Sequence, residues 1–282
     1  MATPAVAALL WLGVVPSFPI IALGFLTAFA GYTAVYALND VVDYRVDKEK
    51  ALECSIPDSE HDLDAVCARH PLAQGLLSLK EGILWTLGWG LVALAGAYAL
   101  NPTCALIFVA GCLAEAVYCL MLKVSYLRTL VSGAVKTAGG MAAVYAVVPD
   151  PSAWFLASLF LWLFFWEIGG QNVPNDWADL NEDRDLRAET IPVLFGAERS
   201  AAIIAGSLGL SVALSLFLFW VTPANLGGFY PWGALASGIV LLLMPAYQLY
   251  RTRELRHASA LFNRASYYPL TMLIVILLSS RA

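Results

Sequence analysis

The stretches "NDVVDYRVD" (Asn39–Asp47) and "NDWADLNED" (Asn175–Asp183) both read N-D-x-x-D-x-x-x-D. Six of the protein's eleven aspartates fall in these two windows, which begin 136 residues apart. The fold is decided by what lies around them. Of 282 residues, 60% are hydrophobic and 13% charged, and the mean hydropathy is +0.72. Such a composition belongs to a membrane class, and several windows of about 20 residues almost free of charge are long enough to cross a bilayer as helix. The pattern predicts an all-α integral membrane protein, one domain over 1–282, with nine transmembrane helices at 3–15, 17–38, 80–100, 103–122, 127–148, 152–172, 199–220, 230–250 and 266–280. The first is short, split from the second by Pro16 and Pro19. No Lys or Arg precedes Arg45, so the basic start of a secretory signal is missing and the opening apolar run is expected to remain as helix.

Charge placement predicts orientation. The segments 39–79, 123–126, 173–198 and 251–265 carry Arg45, Lys48, Lys50, Arg69, Lys123, Arg184, Arg187, Arg251, Arg253, Arg256 and Arg264. The loops near 16, 101, 150 and 221–229 carry no Lys or Arg. This one-sided bias places the basic segments and the N-terminus on the cytoplasmic side of a cell (inner) membrane, and the C-terminus outside. The first acidic motif follows helix 2 and the second follows helix 6. Four spans separate them, so both emerge on one face, the cytoplasmic one.

Within each motif the carboxylates, Asp40, Asp43 and Asp47 or Asp176, Asp179 and Asp183, stand at i, i+3 and i+7. If the helix continues through the motif they line one stripe, with Asn39 or Asn175 at its edge. Like charges so stacked repel, and a cation must compensate them. Oxygen-only ligands without His or Cys favour a hard cation, and Mg²⁺ binds through one or two carboxylates plus substrate phosphates. The spacing is not that of a calcium-binding loop. A diphosphate held through Mg²⁺ is therefore expected at these six aspartates, with Lys48, Lys50, Arg69, Arg184 and Arg187 completing the clamp.

On these residues the chain resembles the UbiA superfamily of intramembrane prenyltransferases, over nearly its whole length. "ALNDVVDYRVD" is similar to that family's first motif, and "NDWADLNEDRDLRAETIPVLFG" to its second with the trailing segment. "HPLAQGLLSLKEG" resembles its R-P-L-x-x-G-x-x-S stretch, with His70 in the arginine's place and Arg69 adjacent. In "YCLMLKVSYLRTLVSG", Tyr118 and Lys123 stand one residue further apart than the Y-x-x-x-K of aromatic-acceptor members. The resemblance implies nine helices around a central cavity, with a cytoplasmic cap of loops at about 39–79 and 173–198. It also implies transfer of a prenyl group from an isoprenyl diphosphate, with Mg²⁺, to an apolar aromatic or lipid acceptor. Asn39, Asn175, Lys48, Arg69, Tyr118, Lys123, Arg184 and Arg187 are then the expected substrate-binding residues. Transfer from phosphoribosyl diphosphate to a lipid phosphate uses similar motifs and is the alternative. An ion-coupled transporter is disfavoured because the acids gather on one face. The partners expected are the two substrates and the bilayer, with no nucleic acid.

Two features lie outside the motifs. Cys54, Cys67, Cys104, Cys112 and Cys119 form no CxxC pair and read as reduced thiols. Cys54, His61, Cys67 and His70 are too irregularly spaced for zinc, so 51–69 reads as a solvated cap loop. Glu115, Lys136 and Glu167 fall inside predicted helices, where a charge must be paired or face a cavity. Lys136 is expected either to pair with Glu115 or to meet a substrate.

Overall fold

The computed structural model describes residues 2–53 and 71–280. Regular structure among them is helical throughout: α1 Ala2–Leu12, α2 Phe18–Val42, α3 Tyr44–Glu53, α4 Leu79–Leu100, α5 Pro102–Leu120, α6 Arg128–Val147, α7 Ala153–Ala178, α8 Leu180–Asp185, α9 Ile191–Val221, α10 Phe229–Thr252 and α11 Leu255–Ser279. Eight of these are long and apolar enough to cross a membrane. With α1, an apolar helix of 11 residues, they make up the nine expected. The helices α3 and α8 are short and carry the tails of the acidic motifs. Arg69, His70, Cys54, His61, Cys67 and the rest of the cap segment 54–70 lie outside the described residues.

Local signals set the helix ends. Ser78 caps α4 through a reciprocal pair: its hydroxyl accepts from the Glu81 amide at 3.3 Å, and the Glu81 carboxylate accepts from the Ser78 amide at 2.8 Å. Asn101 caps α5 by accepting from the Thr103 amide at 2.8 Å, and Pro102 occupies the first turn, where its missing N–H costs nothing. Two segments expected as loops are largely helical. The cap segment 173–198 contains the end of α7, α8 and the start of α9, which is kinked at Gly196 (φ 72°). The segment 251–265 contains the first turns of α11, where Ala258, Ser259, Leu261 and Ala265 are buried while Arg256 and Arg264 are exposed. An amphipathic stripe of this kind lowers mean hydropathy below a span's level while keeping the helix.

Packing divides the bundle. The core lies mainly among α1, α7, α9, α10 and α11, around fully buried Trp162, Tyr230 and Tyr268. The Trp162 indole donates to the Tyr268 hydroxyl at 3.3 Å. In α7 half of the apolar window is buried (50%), whereas in α2 and α4 only 11% is, so the N-terminal helices enclose space rather than a packed core. Chain neighbours α2 and α4, α4 and α5, and α5 and α6 pack against one another in turn, while α1 packs on α6 and α11.

One turn of α7, Ile168–Asn172, is π-helical. It coincides with Gly169 and Gly170 and with a close approach to α9. A methyl group added at Gly169 would lie 2.9 Å from Leu208 and Ser207 and 3.0 Å from the Ile204 carbonyl. Small residues of this kind let membrane helices approach closely.

Gly169→Val is expected to lower the melting temperature of the detergent-solubilised protein, with a cost of about 1–3 kcal/mol for forcing atoms into a filled interface. Gly209→Ala on α9, with nothing within 4 Å of the new methyl, should leave it equal or higher. Scanning fluorimetry of the two variants checks the contrast.

Candidate active site

The two acidic motifs share one backbone feature. α2 stops at Val42, Asp43 leaves the helix at φ −85°, ψ 1°, and α3 resumes at Tyr44. α7 stops at Ala178, Asp179 leaves the helix at φ −91°, ψ 13°, and α8 resumes at Leu180. In both, the hydrogen-bond ladder crosses the bend. The middle aspartate's N–H still donates to the asparagine carbonyl, at 2.8 Å from Asp43 to Asn39 and 3.1 Å from Asp179 to Asn175. The last aspartate's N–H donates to the middle one's carbonyl, at 2.9 Å in both motifs. The unbroken carboxylate stripe expected of a continuous helix is therefore interrupted, twice, at the same motif position. The bend lies in the sparsely populated region between helix and strand, where short polar residues are tolerated and active-site residues recur.

Asp47, Asp176, Asp179 and Asp183 are buried, and Asp40 and Asp43 half-buried. The neighbours differ between the motifs. On the α5 side, Asn39 donates through Nδ2 to Glu115 Oε1 at 3.0 Å and to Cys119 Sγ at 3.3 Å, and the Cys119 thiol hydrogen-bonds to Asp43. On the α6 side, Arg128 interacts electrostatically with Asp176 and Asp183. Its guanidinium donates to the Tyr118 hydroxyl and stacks over that ring, 4.3 Å from its centroid. Asp183 accepts from Thr190 Oγ1 at 2.9 Å, Asn175 donates to Asp179 at 3.3 Å, and Asn172 donates to Ser132 at 3.0 Å. Cys119 interacts electrostatically with both Asp43 and Arg128, so the Tyr118–Cys119 turn of α5 links the two motifs.

Other expected site residues lie at the rim. Lys123 is exposed and pairs with Glu49 of α3 at 3.2 Å. Lys48 is exposed and lies 5.7 Å from the Tyr44 ring centroid. Arg184 and Arg187 are exposed, and Arg187 is left-handed at φ 56°. Tyr118 is joined to Arg128 rather than to Lys123. Arg128 was not anticipated, because a lone Arg in the first turn of an apolar span reads as an orienting charge. Its spacing of ten residues from Tyr118, across a short turn, was the available signal.

Below the first motif is an apolar cavity of about 380 Å³. Small residues of α2 and α6, among them Gly24, Gly31, Ala138 and Ala142, line it together with Phe25, Phe108 and Tyr32. Its polar lining includes Lys136 and Tyr36, with the ammonium 4.5 Å from the Tyr36 ring centroid. Tyr36 precedes Asn39 by three residues, a rise of about 4.5 Å along α2, so cavity and motif are continuous along that helix. Lys136 interacts electrostatically with both buried glutamates, Glu115 and Glu167, and also lines the cavity.

A model described as the UbiA prenyltransferase family matches residues 1–268. No curated protein matches the chain. Among solved structures, a UbiA homologue from Aeropyrum pernix K1 is similar at a TM-score of 0.73 and 19% identity, covering 98% of this chain and 95% of that one. A digeranylgeranylglyceryl phosphate synthase is similar at 0.72 and 16%, covering 99% and 91%. A UbiA homologue from Archaeoglobus fulgidus, bound to DMAPP and Mg²⁺, is similar at 0.69 and 17%, covering 98% and 94%. At these identities the likeness establishes the fold.

Arg128 is a buried charge facing two buried carboxylates, so Arg128→Leu is expected to destabilise the protein by about 3 kcal/mol or more, the usual cost of removing one partner from a buried charge pair. Tyr118→Phe, which removes one hydrogen bond and keeps the ring, should cost about 1 kcal/mol. Thermal unfolding in detergent checks both, and equal losses would contradict the assignment.

Proposed function

The chain belongs to the UbiA prenyltransferase family and is a membrane-embedded prenyltransferase, and on that premise we propose that its twin acidic bends hold an isoprenyl diphosphate through Mg²⁺ while the prenyl chain lies in the apolar cavity. The observation that carries this reading is the junction itself: two matched Asp motifs are bent at the same position, joined through the Tyr118–Cys119 turn, and the first continues a helix that lines a cavity of small apolar and aromatic side chains.

The donor set suits the metal. Among the described residues no three His, Cys, Asp or Glu side chains converge into a closed metal cage. Mg²⁺ needs no such cage, because it takes one or two carboxylates and completes its shell from phosphate and water. The buried Oδ1 of Asn172, one turn before Asp176, has no hydrogen-bond partner, an oxygen at this end that a cation would satisfy. Asp40, Asp43, Asp47, Asp176, Asp179 and Asp183 are the proposed ligands, with Asn39 and Asn175 beside them. Bound there, Mg²⁺ supplies charge neutralisation for the departing diphosphate.

The chain's own residues do the rest. Arg128 adds fixed positive charge beside the second motif, preorganised by its stack on Tyr118. The C1–O bond of the prenyl diphosphate breaks, the diphosphate leaves with the electron pair, and the acceptor's nucleophile bonds to C1 and loses its proton. The apolar lining keeps water from the allylic cation, and ring faces such as Tyr32 and Phe108 stabilise it. The same lining disfavours phosphoribosyl diphosphate, whose hydroxyls would face Phe25, Gly31 and Ala142 without partners. The acceptor is proposed to be apolar, aromatic or lipid. The motif end is proposed to face the cytoplasm of a cell (inner) membrane, in keeping with the Lys and Arg gathered there. Lys48, Lys123, Arg184 and Arg187 then stand at the entrance, where they attract the diphosphate from solution.

Purified protein, incubated with Mg²⁺, a panel of prenyl diphosphates and candidate acceptors, is expected to give a prenylated product by mass spectrometry. Asp43→Asn and Asp179→Asn should each reduce turnover at least about a hundredfold, as loss of one element of a preorganised electrostatic clamp does, without loss of fold. Chelation should mimic them, and Asp150→Asn, in an exposed loop away from both motifs, should match the wild type. Normal turnover of both motif variants in metal-free buffer would end this reading.

A further inference from the structure

Asn39 is held from α5 by two side chains one helical turn apart. Its Nδ2 donates one hydrogen to Glu115 Oε1 at 3.0 Å and the other to Cys119 Sγ at 3.3 Å. Both acceptors are buried, Glu115 to 2% exposure and Cys119 to 4%. A carboxamide has two N–H donors and one carbonyl, and Glu115 Oε1 is the acceptor here, so the nitrogen faces Glu115. With both hydrogens spent on α5, Oδ1 is the one polar side-chain atom of Asn39 not committed to that helix. Without Glu115 the amide could turn over and present N–H groups, which cannot ligate a cation.

Glu115 is costly where it stands. It sits inside a membrane helix, its hydrogen bond goes to Asn39 rather than to Lys136, and its buried Oε2 has no hydrogen-bond partner. A glutamate serving only to neutralise Lys136 would be expected to direct its oxygens at the ammonium. In the second motif Asn175 donates within its own motif, to Asp179 at 3.3 Å.

We propose that Glu115, assisted by Cys119, is a positioning residue that fixes the Asn39 amide with its oxygen toward bound Mg²⁺ and diphosphate. This rests on the functional reading given above. Glu115 touches neither metal nor substrate. It acts through Asn39, as outer-shell partners orient ligands in metal sites generally.

The test is calorimetric titration of Mg²⁺ into the full-length protein in detergent, with a non-reactive thiolo analogue of a prenyl diphosphate present. Turnover is not read. Glu115→Leu is expected to raise the half-saturating Mg²⁺ concentration about 10–100-fold, the usual effect of losing an outer-shell partner. Glu115→Gln, whose Oε1 still accepts from Asn39, should stay close to wild type. Cys119→Val should shift in the same direction as Glu115→Leu but by less, and Cys119→Ser should not shift. A merely charge-balancing Glu115 gives another pattern: Gln and Leu variants equally impaired, both restored by Lys136→Met, and Cys119→Val without effect. That pattern would overturn the proposal. Should Glu115→Leu fail to fold, the Glu115→Gln and Cys119→Val pair decides alone. Wild-type protein that shows no Mg²⁺-dependent binding at all would instead strike the diphosphate reading, and the positioning role with it.

Discussion

Carboxylates gathered at one end of an apolar bundle repel one another, and each buried one must be hydrogen-bonded or faced by a cation. Six aspartates and Glu115 meet that condition here by different means. Arg128 faces the second motif, Thr190 bonds Asp183, and the Cys119 thiol bonds Asp43. The bends at Asp43 and Asp179 keep each motif from forming one straight column of charge, while the unbroken N–H to carbonyl ladder leaves no backbone donor stranded. Much of the local structure at this end follows from that single requirement. It explains an arginine clamped on a tyrosine, a cysteine buried beside a carboxylate, and a threonine held without exposure at the start of α9.

The rest of the bundle divides its labour accordingly. The helices α7, α9, α10 and α11 pack tightly around Trp162, Tyr230 and Tyr268 and form a stiff wall. The helices α2, α4, α5 and α6 bury less and leave the cavity. Each motif is a continuation of one helix from each part, α2 and α7. The site is therefore built between a firm support and a more open one, and the turn of α5 that carries Tyr118 and Cys119 couples them.

How far the residues alone disclose this depends on the range of the interactions involved. Spans such as Leu79–Leu100 are legible because crossing a bilayer demands a long uncharged run, and their ends because Ser78, Glu81 and Pro102 act within one turn. The paired motifs are legible because four spans must return them to one face. The bends are not, since Asp43 and Asp179 keep helical hydrogen bonds and differ from a regular helix chiefly in ψ. Arg128 escaped because its partners come from α5, α7 and α8, and Lys123, one residue out of step with the family pair, turns instead to Glu49. The helical 255–266 stretch escaped because one polar face masks its buried Ala258 and Leu261. Long-range partners, unlike caps and spans, leave no periodic trace.

The π-helical turn at Ile168–Asn172 has a bearing on how such a site changes over generations. A π turn holds one more residue than an α turn, and one residue is about 100° of rotation about the axis. Everything beyond it on α7, including Asn175 and Asp176, is therefore aimed at an azimuth that the packing of Phe155 to Leu163 alone does not dictate. Loss of a single residue in this turn would swing the second motif away from Arg128 and carry Val173 and Trp177 out of the buried core with it. Aim and support are thus inherited together, and any change in this turn that re-aims the aspartates must also repack the wall that holds them.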